Sequence, residues 1–186
     1  MIYLDQLNRT ISLPNPPKRI VSLVPSQTEL LVDLGLRERI VGITKFCIHP
    51  KGLKKEKMII GGTKNFYFDK IESLQPDLII GNKEENYKEG IEKLAEKYPV
   101  WMSDIYTLED AYRMILGIGE LTDTSIKAIQ ISDQTRIGKR VQFQRIRHLP
   151  DLERSFNCCR NQYIYRFHVR KSRLQKSHQP VSVSRD

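Results

Sequence analysis

Cys47 and His49 stand two residues apart and offer a thiolate and an imidazole, donors that suit cobalt, copper or zinc. Two ligands fall short of the four that a structural metal site needs, so the chain is read as having no metal centre of its own, with these two as its candidates. Asp104, Glu109 and Asp110 gather carboxylates, but two of them fall at a helix start behind Thr107, where acids serve as cap residues. No Ser/His/Asp constellation, Walker loop or GxGxxG motif is present. An enzyme, or a protein with an intrinsic cofactor, lacks residues here to carry it.

The stretch RIVSLVPSQTELLVDLGL, residues 19 to 36, points instead to binding. Ile20 to Val24 is a short apolar run ending at Pro25, as a fully buried strand of a parallel sheet reads. Ser26, Gln27, Thr28 and Glu29 then spell S-x-x-E, a capping box, ahead of Leu30, Leu31, Leu34 and Leu36 at helical spacing. A strand thus runs straight into a helix start. In open α/β sheets ligands bind at that junction, because the first helical N–H groups point outward without partners.

The remaining elements repeat the pattern. Met1 to Leu13 reads as a hairpin turning at Asn8-Arg9; strands are expected at 40–43, 58–60, 78–80 and 100–102. Helices are expected at 69–74 and at 85–98, the latter with Tyr87, Ile91, Leu94, Ala95 and Tyr98 on its apolar face. Thr107, with Asp110 three residues on, caps a helix turning Leu108, Ala111, Tyr112, Ile115 and Leu116 inward, and another begins near Asp123. Alternation over the first 122 residues predicts an α/β fold, an open parallel sheet with flanking helices. The expected divisions are a lobe over 1–122, the start of a long helix over 123–137, and a basic tail over 138–186.

The formal net charge of +9 is unevenly spread. Residues 1–133 hold 18 Lys and Arg against 19 Asp and Glu, a net −1; residues 134–186 hold 13 against 3, a net +10. The bases also change from mostly lysine to mostly arginine, so two compositions meet near residue 134. Cys47, Cys158 and Cys159 give no disulfide framework. No apolar run approaches the roughly 20 residues of a membrane span, and Asp5, Asn8 and Arg9 occupy the place of a signal peptide's apolar core. As written, the chain is expected to carry no export signal and to be cytoplasmic. The tail's arginines, interleaved with Phe143, Tyr163, Tyr165 and Phe167, suggest an alternative, a nucleic-acid-associated module.

RIVSLVPSQTELLVDLGL, then IVGIT, then GGTKNFYFDKIESLQPDLIIG and VWMSDIYTLED together resemble the N-terminal lobe of the class III periplasmic binding proteins. Members of that family deliver cobalamin and ferric siderophores to ABC importers. The most specific match is the set Gly62, Asp69, Lys70, Ile71, Leu74, Pro76, Asp77, Leu78 and Ile79, and the resemblance covers roughly residues 17 to 134. It implies one Rossmann-like lobe of a two-lobed receptor joined by a long helix, with a cobalamin-like corrinoid or an iron chelate in the cleft. The implied partners are that chelate and an importer permease, the protein itself being a monomer with no specific nucleic acid. Cys47 and His49 would then serve, if at all, as an axial contact to a corrinoid.

Carried over position by position, the resemblance implies that Pro25, Ser26 and Gln27 line the cleft at the first helix start. It places Phe46 where members pack an aromatic on a flat ligand, and Thr63, Lys64, Asn82, Lys83 and Asn86 at further cleft positions. Asp69 falls where members carry an acid that docks on the importer, with Asp here in place of the usual Glu. Simpler roles stand beside these: Ser26 and Glu29 as a cap, Phe46 as cover for the sheet edge, Asp69 as a helix-dipole residue. Permitted codons for Asn157 to Ser182, read one nucleotide later, can spell a segment resembling the start of the family's second lobe. The expectation is therefore a reading-frame slip between about Gln134 and Ile137, leaving a truncated, impaired receptor and a poorly ordered tail.

Overall fold

The structure, a computed structural model, describes residues 1–146, with side chains to residue 135. Met1–Ile129 form one compact unit. Its centre is a five-stranded parallel sheet of β3 (Ile20–Ser22), β4 (Ile40–Ile43), β5 (Met58–Ile59), β6 (Leu78–Asn82) and β7 (Val100–Ser103), in the spatial order β5-β4-β3-β6-β7. Every residue of β3, β6 and β7 is buried, which is why these strands read as unbroken apolar runs. The expected α/β sheet is present. Its limits shift where local chemistry intervenes: β3 stops at Ser22 because Val24 caps the next helix, and β6 runs on through Gly81 and Asn82, which pair with Met102 and Ser103.

Helices α1 (Pro25–Asp33), α2 (Leu53–Glu56), α3 (Phe68–Ser73), α4 (Lys88–Ala95) and α5 (Leu108–Leu121) connect and follow the strands. The chain steps outward from β3 to β4 to β5, then α3 returns it to β6 on the other side of β3. The order therefore reverses between β3 and β6, the position where open sheets leave a crevice. The first helix corrects one expectation. Its cap is Val24 with no side-chain hydrogen bond, and Pro25 is the first helical residue, so Ser26 lies inside the first turn and the S-x-x-E box does not form. Proline explains this: its fixed φ suits the first helical position, and it has no N–H to leave unpaired.

At α5 the capping box does form, with the Thr107 hydroxyl accepting from the Asp110 N–H and the Asp110 carboxylate accepting from the Thr107 N–H. The buried residues of α5 are Ala111, Tyr112, Met114, Ile115, Ile118, Gly119 and Leu121. Leu116 instead faces out, as does Ala95 on α4, since a stripe stepping by three and four from Ala111 passes over Leu116. α4 also begins at Lys88 rather than 85, because the Asn82 carboxamide oxygen accepts the Glu84 and Glu85 N–H groups and holds them in a turn. The helix expected near Asp123 is α6 (Ser125–Ile146). It meets α5 where Gly119 lacks a side chain, since a Cβ there would overlap the Ala128 methyl group. Beyond Ile146 the expectations for the tail lie outside the described residues.

β1 (Ile2–Leu4) and β2 (Thr10–Ser12) form the expected hairpin, with Asn8 at φ +59° in its turn. Asp5, buried, accepts from the Leu7 and Arg9 N–H groups and takes a two-pronged ion pair from Arg9 at 2.8 and 2.6 Å. Gln6 N–H donates to the Met102 carbonyl, so the hairpin covers the outer edge of β7. Covered edges are how open sheets avoid pairing with foreign strands.

Candidate functional site

Because all five strands run the same way, their following loops emerge along one edge. Across that edge come the loops after β5 (60–67), β4 (44–52), β3 (23–24), β6 (83–87) and β7 (104–107). Neighbouring strands are about 4.8 Å apart, so the row from the β4 loop to the β7 loop spans roughly 14 Å. Pro25 and Ser26, half-buried, sit at its middle with the start of α1; Thr63 is half-buried, and Lys64 and Lys83 are exposed. These sequence-derived candidates are thus gathered on one edge.

Gln27, Asn82 and Asn86 lie beneath that surface instead. Gln27 is only 1% exposed, and its amide nitrogen donates to the Gly81 carbonyl and the Ser103 hydroxyl. The Asn82 amide also donates to Ser103, at 3.0 Å. Asn86 accepts from the Asn82 N–H at 2.9 Å and donates to the Thr63 carbonyl at 2.8 Å. Short polar residues at a βα turn can face out or in; here the Ser103 hydroxyl and nearby backbone groups give these three buried hydrogen-bond partners. Their role in the structure is to fix the loops that carry the exposed residues.

Phe46 is 50% exposed and lies across the glycine pair of the β5 loop. Gly61 holds φ +116° and accepts the Lys45 N–H at 2.8 Å, while a Cβ on Gly62 would stand 3.3 Å from the Phe46 ring. The Lys45 ammonium is 5.2 Å from the Phe46 ring centroid, within cation–π range. One residue on, the chain turns inward. Cys47 is fully buried, its thiol 3.2 Å from the Thr28 hydroxyl and 3.3 Å from that of Thr44. Burial pushes this thiol's pKa up, more than those two hydroxyl contacts lower it. Its surroundings are those of a buried, packed cysteine, whereas a thiolate ligand is favoured by an exposed, electropositive site. His49 is half-buried, and among the described residues no three His, Cys, Asp or Glu side chains gather to hold a metal.

At the other end, Lys83 forms a 2.7 Å ion pair with Asp104, and its ammonium lies 5.7 Å from the ring centroid of Tyr106. The hydrogen bond to Asp104 raises the Lys83 pKa, with Tyr106 adding to it. The hairpin props this corner: the Asp104 N–H donates to Gln6, whose amide reaches the Asp110 carbonyl. Tyr106, 55% exposed, escaped the sequence reading because a single aromatic in a loop has no periodicity to flag it. Its signal was position, in the loop after the last strand. Asp69 is exposed in the first turn of α3, just after the β5 loop.

The Periplasmic binding protein family profile matches residues 20–134. The substrate-binding lipoprotein YvrC of a Bacillus subtilis ABC transporter is 31% identical over 131 residues, covering 68% of this chain and 41% of the relative. The crystal structure of a possible iron-binding, periplasmic solute-binding protein of Staphylococcus epidermidis superimposes with a TM-score of 0.59 at 29% identity, over 66% of this chain and 48% of that one. The periplasmic vitamin B12 binding protein BtuF of Vibrio cholerae does so with a TM-score of 0.62 at 25% identity, over 70% and 52%. The chain spans about half the length of the relatives it matches.

Proposed function

The chain belongs to the periplasmic binding protein family, and from that premise we propose that it captures a metal chelate, a corrinoid or a ferric siderophore or haem-type complex, for an ABC importer. The observation that carries this reading is the row of five loops at one sheet edge, which presents a half-exposed Phe46 beside the start of α1. Such a face supplies what binding requires. Phe46 offers a flat apolar platform, Ser26 and the first turn of α1 offer N–H donors, and the buried amides of Gln27, Asn82 and Asn86 hold the loops still. Preorganisation of this kind lowers the ordering cost of binding. Capture would then proceed by two such faces closing on the ligand, as binding proteins do by hinge or shear motion.

Asp69 is proposed as the contact to the importer, since it projects from the same edge on a short helix. The proposed site of action is the outer side of the cytoplasmic membrane, as for the family; no helix among the described residues is long and apolar enough to cross a membrane. The protein is proposed to be monomeric. A reading-frame slip near residue 134 is proposed as well, supported by the family match ending at residue 134, beside the change in composition. Sequencing the locus across codons 130 to 140 tests it, and an uninterrupted frame identical to this chain in several isolates would count against it.

Equilibrium dialysis of the purified chain against cyanocobalamin, haemin and ferric siderophores tests the main reading. Retention of at least one of these chelates is expected. Retention of none, by a chain whose melt is cooperative, would contradict it.

A further inference from the structure

The two ends of the face differ in charge. The loops after β4 and β5, residues 44–52 and 60–67, contain Lys45, Lys51 and Lys64 and no Asp or Glu. Among the described residues none of these three lysines is paired with a carboxylate. At the opposite end Lys83 is neutralised by Asp104 at 2.7 Å, and Glu84 and Glu85 follow it. The positive end is also the end with the aromatic platform. Phe46 lies over Gly62, and the Lys45 side chain runs beside it, 3.6 Å from where a Gly62 Cβ would stand, with Lys64 two residues further on.

We infer that the ligand is an anionic metal chelate that packs an apolar edge against Phe46 and lays its carboxylate or catecholate oxygens over Lys45 and Lys64. This rests on the reading of the face as a chelate site and narrows it. A neutral chelate would gain no net-charge attraction from two exposed ammonium groups that the fold leaves without acids, whereas an anionic one gains steering toward the face and charge-assisted hydrogen bonds on it. The orientation follows as well, because the exposed Glu84 repels negative groups from the β6 end.

Calorimetric titration of the full chain with ferric catecholate, haemin and the neutral cyanocobalamin, each at low and at physiological salt, tests the inference. The two anionic complexes should bind at least about tenfold more tightly than cyanocobalamin, and their affinity should fall as salt rises. Lys45→Gln with Lys64→Gln should weaken them by about tenfold, flatten the salt dependence and leave the melt unchanged, both side chains being exposed. Lys88→Gln, on the exposed face of α4, should leave affinity as it was. Cyanocobalamin bound as tightly as the anions, without salt dependence and indifferent to the lysine variants, would overturn the inference and leave the chelate reading standing. Failure of all three to bind would overturn both.

Discussion

Asn86 and Thr63 are joined by one hydrogen bond of 2.8 Å, from the Asn86 amide to the Thr63 carbonyl. The other end of the same carboxamide accepts the Asn82 N–H at 2.9 Å, so one buried side chain ties the β5 loop to the β6 loop across the crevice beside β3. Asn86→Ala is expected to destabilise the protein by about 2 kcal/mol, because a buried N–H and a part-buried carbonyl lose their partners together. Asn86→Asp keeps the acceptor and loses the donor, so it should free the β5 loop selectively. Urea denaturation measures the first effect and chelate affinity the second; unchanged values in both would mean that the bond holds nothing.

Gly61 and Gly62 should respond differently to the same added methyl group. At Gly61 the backbone sits at φ +116° and a Cβ would collide with the Asn65 carbonyl, so Gly61→Ala should cost about 2 to 4 kcal/mol. At Gly62 the new methyl would stand 3.3 Å from the Phe46 ring, which is half-exposed and free to swing away. Gly62→Ala is therefore expected to change stability by less than about 1 kcal/mol and yet to lower chelate affinity. Equal effects of the two substitutions on thermal denaturation would refute the distinction.

The strands were legible because a parallel strand buried on both faces must be apolar throughout, and Ile20, Ile79 and Val100 leave little choice. The start of α1 was misread because Ser26 and Glu29 match a capping pattern while Pro25, one residue earlier, takes the first helical position on steric grounds. The inward stripe of α5 was misplaced by one step at Leu116 and Met114, since helical spacing alone does not set the phase of a face. Phe46, Lys64 and Lys83 were placed on the edge by the resemblance to the family, position by position, while the alternation of strand and helix supplied the edge itself. The inward turn of Gln27, Asn82 and Asn86 could not, because it depends on backbone groups brought there by residues far away in the chain.

The capping box of α5 gives a pH prediction. The Thr107 hydroxyl and N–H, hydrogen-bonded to the Asp110 carboxylate, hold its pKa below the ordinary value for an aspartate. A folded-state pKa lower than the unfolded one contributes stability that is fully present above roughly pH 4 and is lost as pH falls through the folded value. Thr107→Ala should cost about 1 kcal/mol at neutral pH. Asp110→Asn should remove part of the acid dependence of the melting temperature, and a melting curve with the same acid slope as the parent would contradict the assignment.

Cys47 should behave as a packing residue. With Cys158→Ser and Cys159→Ser in place, the native protein is expected to react with a disulfide reagent only as fast as it unfolds, and to react fully in urea. Cys47→Ser should leave the absorption spectrum of a bound chelate unshifted. Rapid labelling of the native thiol, or a shifted metal-centred band in the variant, would restore Cys47 as a ligand.

The central claim is that the edge formed by the five loops is the ligand face. Amide resonances of the purified chain, recorded as the paramagnetic ferric catecholate is added, test it most directly, since broadening falls off steeply with distance from the iron. The account predicts loss of signal at Ser26, Phe46, Thr63 and Lys64, with Lys18, Asp77 and Tyr98, at the opposite end of the sheet, unaffected. Broadening centred on those last three, or spread evenly over the chain, would contradict it.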